Sequence, residues 1–116
     1  PSQHVSIVEL DGEIIGFCDL MPSRDKDSNP KSTGEIASIY VRPELWRKGS
    51  GRILCRHALA DARLQNYTMV TLWVLISNQA ARKFYEAMGF HLDGATKIDQ
   101  SMTGHELQEV RYRISV

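Results

Sequence analysis

The stretch "VRPELWRKGSGRIL", residues 41–54, decides the fold, because it leads from a strand into a helix through a basic turn with two glycines. Pro43 cannot supply an N–H to a strand ladder, so it ends the preceding strand. Gly49 and Gly51 then open a helical pattern. Three cations flank the glycines: Arg47, Lys48 and Arg52. On this stretch alone two interpretations stay open, an anion-binding helix N-terminus and an ordinary turn in which glycine relieves strain.

Length and composition predict one globular domain over residues 1–116, since 42% hydrophobic and 24% charged residues are ordinary values for a soluble protein. Fourteen cations balance fourteen anions, which predicts neither a nucleic-acid partner nor an anionic membrane surface. No apolar run approaches the ~20 residues of a membrane span, and no signal peptide opens the sequence. Cys18, Cys55 and the four histidines lack metal-site or disulfide-framework spacing, so we expect no metal and a cytoplasmic location.

The pattern on both sides of the turn predicts the order β-β-β-α-β-α-β-β, an α+β (mixed α/β) fold with one parallel crossover. Asp11-Gly12 is typical of a hairpin turn, and the apolar run over 69–76 is typical of a central strand covered on both faces. Ser77 or Asn78 can cap the second helix, and Gly89 can end it. The expected elements are strands 4–10, 13–21 and 35–41, helix 50–65, strand 69–76, helix 79–88, and strands 90–98 and 107–116.

The glycine turn has the features of a phosphate site, because a helix N-terminus presents unpaired N–H groups at its positive end. Two common phosphate motifs can be tested against it. The Walker pattern GxxxxGK[ST] is absent, and a dinucleotide GxGxxG fails because Leu54 stands where its third glycine belongs.

Two segments together resemble the GNAT superfamily of N-acetyltransferases. Residues 39–59, "IYVRPELWRKGSGRILCRHAL", are similar to its acetyl-CoA-binding segment, a strand ending in V-x-P followed by Q/R-x-x-G-x-G/A; Trp46 departs from the Q/R position. Residues 74–90, "VLISNQAARKFYEAMGF", match its second helix at six positions: Asn78, Ala81, Phe84, Tyr85, Gly89 and Phe90. The resemblance covers roughly residues 5–116.

The resemblance implies a GNAT-like acyl-CoA N-acyltransferase fold. Its sheet is twisted and mostly antiparallel, with a central parallel strand pair that splays apart around the cofactor. Family members usually have one more strand and two helices before the first strand seen here. We therefore expect a single GNAT-like domain over 1–116 that is short at its N-terminal side, with three interpretations open: a fragment, an unseen N-terminal part, or a naturally short member of the family.

The resemblance also implies an acetyl-CoA site. The pyrophosphate would be held by Arg47, Lys48, Gly49, Ser50, Gly51 and Arg52, for which a solvated basic turn is the alternative. Backbone groups of Ile39, Tyr40 and Val41 would pair with pantetheine, as a peptide adds to a sheet edge. Asn78 either contacts the cofactor arm or only caps its helix.

Two residues take catalytic roles in the resemblance. Tyr85 would protonate the departing thiolate of CoA, or else only pack beside Phe84. Glu35 would accept the amine proton directly or through water, or else be an exposed carboxylate at a strand end.

The expected activity is acetyl transfer from acetyl-CoA to a primary amine of a small molecule or peptide, by direct attack in a ternary complex. The first alternative is a non-catalytic acyl-CoA-binding GNAT-like module or fragment, and the second is a phosphate-binding domain for another nucleotide. A terminal strand pair with an exposed edge also makes a homodimer a hypothesis.

Overall fold

The computed structural model describes residues 3–45, 49–99 and 107–116. It contains six strands and two helices: β1 (His4–Leu10), β2 (Glu13–Pro22), β3 (Thr33–Val41), α1 (Ser50–Leu64), β4 (Met69–Leu75), α2 (Gln79–Ala87), β5 (His91–Asp99) and β6 (Leu107–Ser115). A single 3-10 turn, Pro43–Leu45, follows β3. The predicted order of elements is confirmed, with boundaries that move by one or two residues. Within the described residues, neither helix is long and apolar enough to cross a membrane.

The strands form one mostly antiparallel sheet in the order β1-β2-β3-β4-β6-β5, with β3 and β4 parallel. The predicted fold class is thereby confirmed. The chain divides into two compact units, one of Pro1–Val70 with Ser115 and Val116, the other of Thr71–Ile114. The expectation of a single GNAT-like domain stays a prediction.

The first unit contains an antiparallel β1-β2-β3 meander with α1 packed on it. Asp11 and Gly12 join β1 to β2 with φ angles of 51° and 81°, the two left-handed residues that a tight hairpin turn of the primed type requires. The buried residues of α1 recur at the three- and four-residue spacing of an amphipathic helix and form one stripe: Leu54, Cys55, Ala58, Leu59 and Ala62. The pairing of Pro22 with Gly34 extends β3 back to Thr33, two residues before its predicted start.

The second unit contains the larger part of β4, then α2 and the antiparallel pair of β5 and β6. Asn78 caps α2, and Gly89, with φ 103°, follows its C-cap residue Met88. On the β5-β6 pair, the guanidinium of Arg111 donates to the carboxylate of Asp93 at 2.7 Å, and both side chains are buried. The sequence contained no local signal of this buried ion pair.

The two cysteines lie in the core of the first unit and are both fully buried. Burial raises the pKa of the Cys18 thiol to about 12, with smaller contributions from Cys55 and Asp19, and burial raises that of Cys55 to about 11. A raised thiol pKa suppresses the reactive thiolate, which at pH 8 is about one part in a thousand even for Cys55.

We therefore expect neither thiol to react with Ellman's reagent in native buffer, and both to react in denaturant. Reaction of one thiol per native chain with the reagent would contradict this expectation.

Candidate functional site

The N-terminus of α1 has the geometry of an anion site. Gly49 occupies its N-cap position with φ 88°, and no side chain caps the helix. Within the part of the chain that the structure describes, the first backward hydrogen bond of α1 is from the Ile53 N–H to the Gly49 carbonyl at 3.0 Å. The N–H groups of residues 50–52 occupy the first three helical positions, which precede the helical ladder. The first turn carries no acidic residue, and Arg52 is exposed there. Arg47 and Lys48 lie outside the described residues.

The predicted pantetheine strand is the end of β3. Ile39, Tyr40 and Val41 pair through one edge with β2, in a continuous antiparallel register. The Tyr40 side chain is exposed, and its ring centroid lies 5.9 Å from that of Phe17 on the neighbouring strand. Tyr40 therefore points to solvent, and the roles predicted for these three residues concern their backbone.

Glu35 is buried, with only 3% of its surface exposed, so the interpretation as an exposed strand-end carboxylate is wrong. Its buried carboxylate is compensated by Arg24 in the loop after β2. Arg24 donates its backbone N–H to Oε1 at 3.0 Å and a guanidinium N–H to Oε2 at 2.8 Å. That guanidinium hydrogen bond raises the pKa of Arg24 above its ordinary value. The carboxylate is thus paired at both oxygens, while the Arg24 side chain is 60% exposed.

Asn78 lies at the N-terminus of α2, where its Oδ1 accepts the backbone N–H of Ala81 at 3.2 Å. This hydrogen bond satisfies one of the N–H groups that precede the helical ladder. Its predicted role as a helix cap is confirmed, and contact with the cofactor stays a prediction.

Tyr85 is the buried residue of α2, and aromatic rings surround it. Its ring centroid lies 5.4 Å from Phe84, 5.8 Å from Phe90 and 6.4 Å from Tyr112 on β6. Edge-on and tilted contacts of this kind stabilise a fixed ring orientation. Packing beside Phe84 is therefore present, and it is compatible with a chemical role for the hydroxyl.

A hydrogen-bond network lies beside Tyr85. The Tyr112 hydroxyl accepts from Nε of Arg82 at 3.0 Å and donates to Oε2 of Glu86 at 2.6 Å. Burial raises the pKa of Tyr112 above its ordinary value, and the hydrogen bond from Arg82 opposes that shift. Tyr112 thus links β6 to α2 within the second unit.

The structure places the predicted residues in two groups. Glu35, residues 39–41 and residues 49–52 belong to the first unit, and Asn78 and Tyr85 belong to the second. Sequence reasoning missed Arg24 and Tyr112. The pairing of Arg24 with Glu35 could have been inferred only from the register of the β2-β3 hairpin. The burial of Tyr112 could have been inferred only from the alternation of apolar and charged residues in "EVRYRIS". Among the described residues, no group of three His, Cys, Asp or Glu side chains is placed to hold a metal ion.

Comparison with known proteins gives consistent matches. Residues 1–90 match the model of the Acetyltransferase (GNAT) family. The chain is 36% identical over 81 residues to an uncharacterized N-acetyltransferase of Archaeoglobus fulgidus, covering 70% of this chain and 55% of that protein. It is 31% identical over 84 residues to a peptidyl-lysine N-acetyltransferase of Escherichia coli, covering 72% and 47%.

One solved structure extends these matches. A Bacillus anthracis protein provisionally assigned as a streptothricin acetyltransferase, in complex with acetyl coenzyme A, superposes with a TM-score of 0.84 at 26% identity. The superposition covers 100% of this chain and 64% of that one. The chain spans about half the length of the curated relatives it matches.

Proposed function

The chain belongs to the GNAT acetyltransferase family, and on that premise we propose that it moves an acetyl group from acetyl-CoA to a primary amine by direct attack in a ternary complex. The observation that carries the proposal is the uncapped N-terminus of α1, which begins at the left-handed Gly49 and has no acidic residue in its first turn. The Bacillus anthracis structure, which holds acetyl coenzyme A, adds support.

The pyrophosphate of acetyl-CoA would be held by the segment Arg47–Arg52. The backbone N–H groups of residues 50–52 and the Arg52 side chain supply positive charge at the N-terminal end of the α1 dipole. Among the described residues, its chain neighbours aside, nothing lies within 4 Å of the position that a Cβ of Gly49 would occupy, so a ligand has room to approach the backbone. In the same proposal, the backbone of residues 39–41 pairs with pantetheine and Asn78 contacts the cofactor arm.

The proposed chemistry assigns one proton transfer to each of two side chains. A lysine-like amine with a pKa near 10.4 costs about 4.6 kcal/mol to deprotonate at pH 7, so a proton acceptor is needed. Arg24 stabilises the ionised form of Glu35, and because both carboxylate oxygens already accept hydrogen bonds from Arg24, we assign the transfer to an intervening water. The neutral amine then attacks the thioester carbonyl, and the tetrahedral intermediate breaks its C–S bond. Tyr85 donates its phenol proton to the departing thiolate, and the resulting phenolate recovers a proton from the acetylated nitrogen.

The acceptor is proposed only as a chemical class, and the assembly and location of the protein stay predictions. The Escherichia coli relative is named as acting on peptidyl-lysine, which supports a primary amine of a small molecule or peptide as acceptor. A homodimer through an exposed strand edge stays a prediction, and light scattering that finds only a monomer would reject it. A cytoplasmic location stays a prediction from the sequence, which detection of the protein in a secreted fraction would reject.

Thermal unfolding against acetyl-CoA, with ATP and NAD as controls, tests the cofactor site. A ligand at 100 times its Kd stabilises by about 2.7 kcal/mol, which raises the Tm of a chain of this size by about 10 °C. We expect acetyl-CoA alone to give such a shift. Equal protection by ATP or NAD would favour the general phosphate-binding alternative, and no shift at millimolar acetyl-CoA would reject the proposed site.

Gly49→Ala provides the matched variant. Gly12 has nearly the same φ, 81° against 88°, and equally open space at its Cβ position. Both alanine variants therefore bear a similar backbone cost of about 1 kcal/mol. We expect only Gly49→Ala to lose most of the acetyl-CoA shift, because only that residue lies at the proposed pyrophosphate site. Equal shifts in the two variants would contradict the assignment of Gly49.

A further inference from the structure

The Tyr112 hydroxyl joins two charged side chains of α2 to the neighbouring strand β6. Its residue is fully buried, yet its oxygen reaches Arg82 at 3.0 Å and Glu86 at 2.6 Å. These two side chains lie four residues apart, one turn above the other on the same face of α2. A single oxygen thus holds two successive turns of the helix.

The same network extends to the turn before α2. Arg82 donates a second N–H to the carbonyl of Ile76 at 2.9 Å, and the Ile76 N–H donates to the carbonyl of Gln108 on β6 at 2.9 Å. The helix is therefore tied to β6 both through the Tyr112 hydroxyl and through the backbone of the preceding turn. A helix held at both places has little freedom to rotate or slide along β6.

We propose that Tyr112 is a positioning residue for Tyr85, holding the α2 turn that carries it so that the Tyr85 phenol stays aimed at the reacting sulfur. The inference rests on the proposed function, in which Tyr85 is the acid. Tyr85 lies between Arg82 and Glu86 in sequence, and its ring packs against the Tyr112 ring at 6.4 Å. A rotation of α2 would move the Tyr85 hydroxyl directly, and an acid acts only within hydrogen-bond reach of the atom it protonates.

Tyr112→Phe isolates the hydroxyl, since the ring and its contact with Tyr85 are retained. We expect kcat to fall about tenfold, because displacement of a reacting group by a fraction of an ångström is enough for that loss. The KM for acetyl-CoA should stay within about twofold, since a ground-state contact is not removed. The matched control is Tyr67→Phe, which deletes another buried phenol hydroxyl in the first unit and should leave kcat unchanged.

A double-mutant cycle separates positioning from general destabilisation. In a Tyr85→Phe background, Tyr112→Phe should lower the residual kcat no further, because the group it positions is already gone. An equal loss in both backgrounds would overturn the proposal. Glu86→Ala supplies a second route if Tyr112→Phe folds poorly, because Glu86 is exposed and its removal frees the hydroxyl from one side. It should lower kcat in the same background-dependent way.

A measurement without turnover keeps this inference separate from the proposed function. With fluorotyrosine at position 85, the ¹⁹F resonance should shift or broaden in Tyr112→Phe and stay unchanged in Tyr67→Phe. An unchanged resonance in Tyr112→Phe would overturn the positioning role, regardless of the effect of that substitution on kcat. If instead the resonance moves but Tyr85→Phe keeps full kcat, the positioning role stands and the assignment of Tyr85 as the acid fails.

Discussion

Replacing Tyr85 by phenylalanine is expected to lower kcat for acetyl transfer by about 100-fold or more, the range typical of a positioned general acid. The substitution removes one hydroxyl and leaves the ring in its contacts with Phe84, Phe90 and Tyr112. Packing should therefore be preserved, and the Tm should change by only a few degrees. Steady-state kinetics, following release of the CoA thiol with an acceptor that supports turnover, measures the effect.

The binding of acetyl-CoA decides how that loss is interpreted. If Tyr85→Phe keeps the thermal shift with acetyl-CoA while kcat falls, the residue acts in chemistry and the chain is an enzyme. If the unmodified chain binds acetyl-CoA but transfers no acetyl group to any amine in a broad panel, the binding-module alternative is favoured. A Tyr85→Phe variant with full kcat would remove Tyr85 from the mechanism, and Tyr67→Phe controls for the loss of any buried phenol hydroxyl.

Predictions from sequence succeeded where the cause was local. The buried stripe of α1 depends only on spacing along one helix, and the Asn78 cap depends on an N–H three residues further on. The Asp11-Gly12 turn follows from the tolerance of those two residues for positive φ. Each of these features is determined within one turn of helix or hairpin, so the residue pattern was enough.

Residue patterns did not reveal contacts between side chains of different elements. Glu35 was placed at a strand end by its position in "EIASIYV", but its buried carboxylate is paired with Arg24, eleven residues earlier across a loop. Tyr112 lies twenty-six residues after its partner Glu86. Hydropathy patterns assign each residue to a face, but they do not state which side chains of different elements face each other.

The buried ion pair of the second unit is a further consequence of strand pairing, and it leads to the largest expected loss of stability. Asp93 is 5% exposed and Arg111 10% exposed, and their side chains meet at 2.7 Å. Asp93→Ala removes the carboxylate that accepts a hydrogen bond from the buried Arg111 guanidinium. Breaking a buried ion pair in this way lowers the free energy of unfolding by about 3 kcal/mol. For a chain of this size, we expect the Tm to fall by about 12 °C in a thermal unfolding experiment.

A neighbouring ion pair on the same two strands provides the control. Lys97 and Glu109 face each other across β5 and β6, but they are 48% and 19% exposed and 3.9 Å apart. Glu109→Ala should therefore cost less than about 1 kcal/mol. The double variant Asp93→Leu/Arg111→Met should recover most of the loss, because an apolar pair of similar volume removes the buried charges together. If Asp93→Ala lowered the Tm no more than Glu109→Ala does, the expectation that the buried pair contributes more to stability than the exposed pair would be wrong.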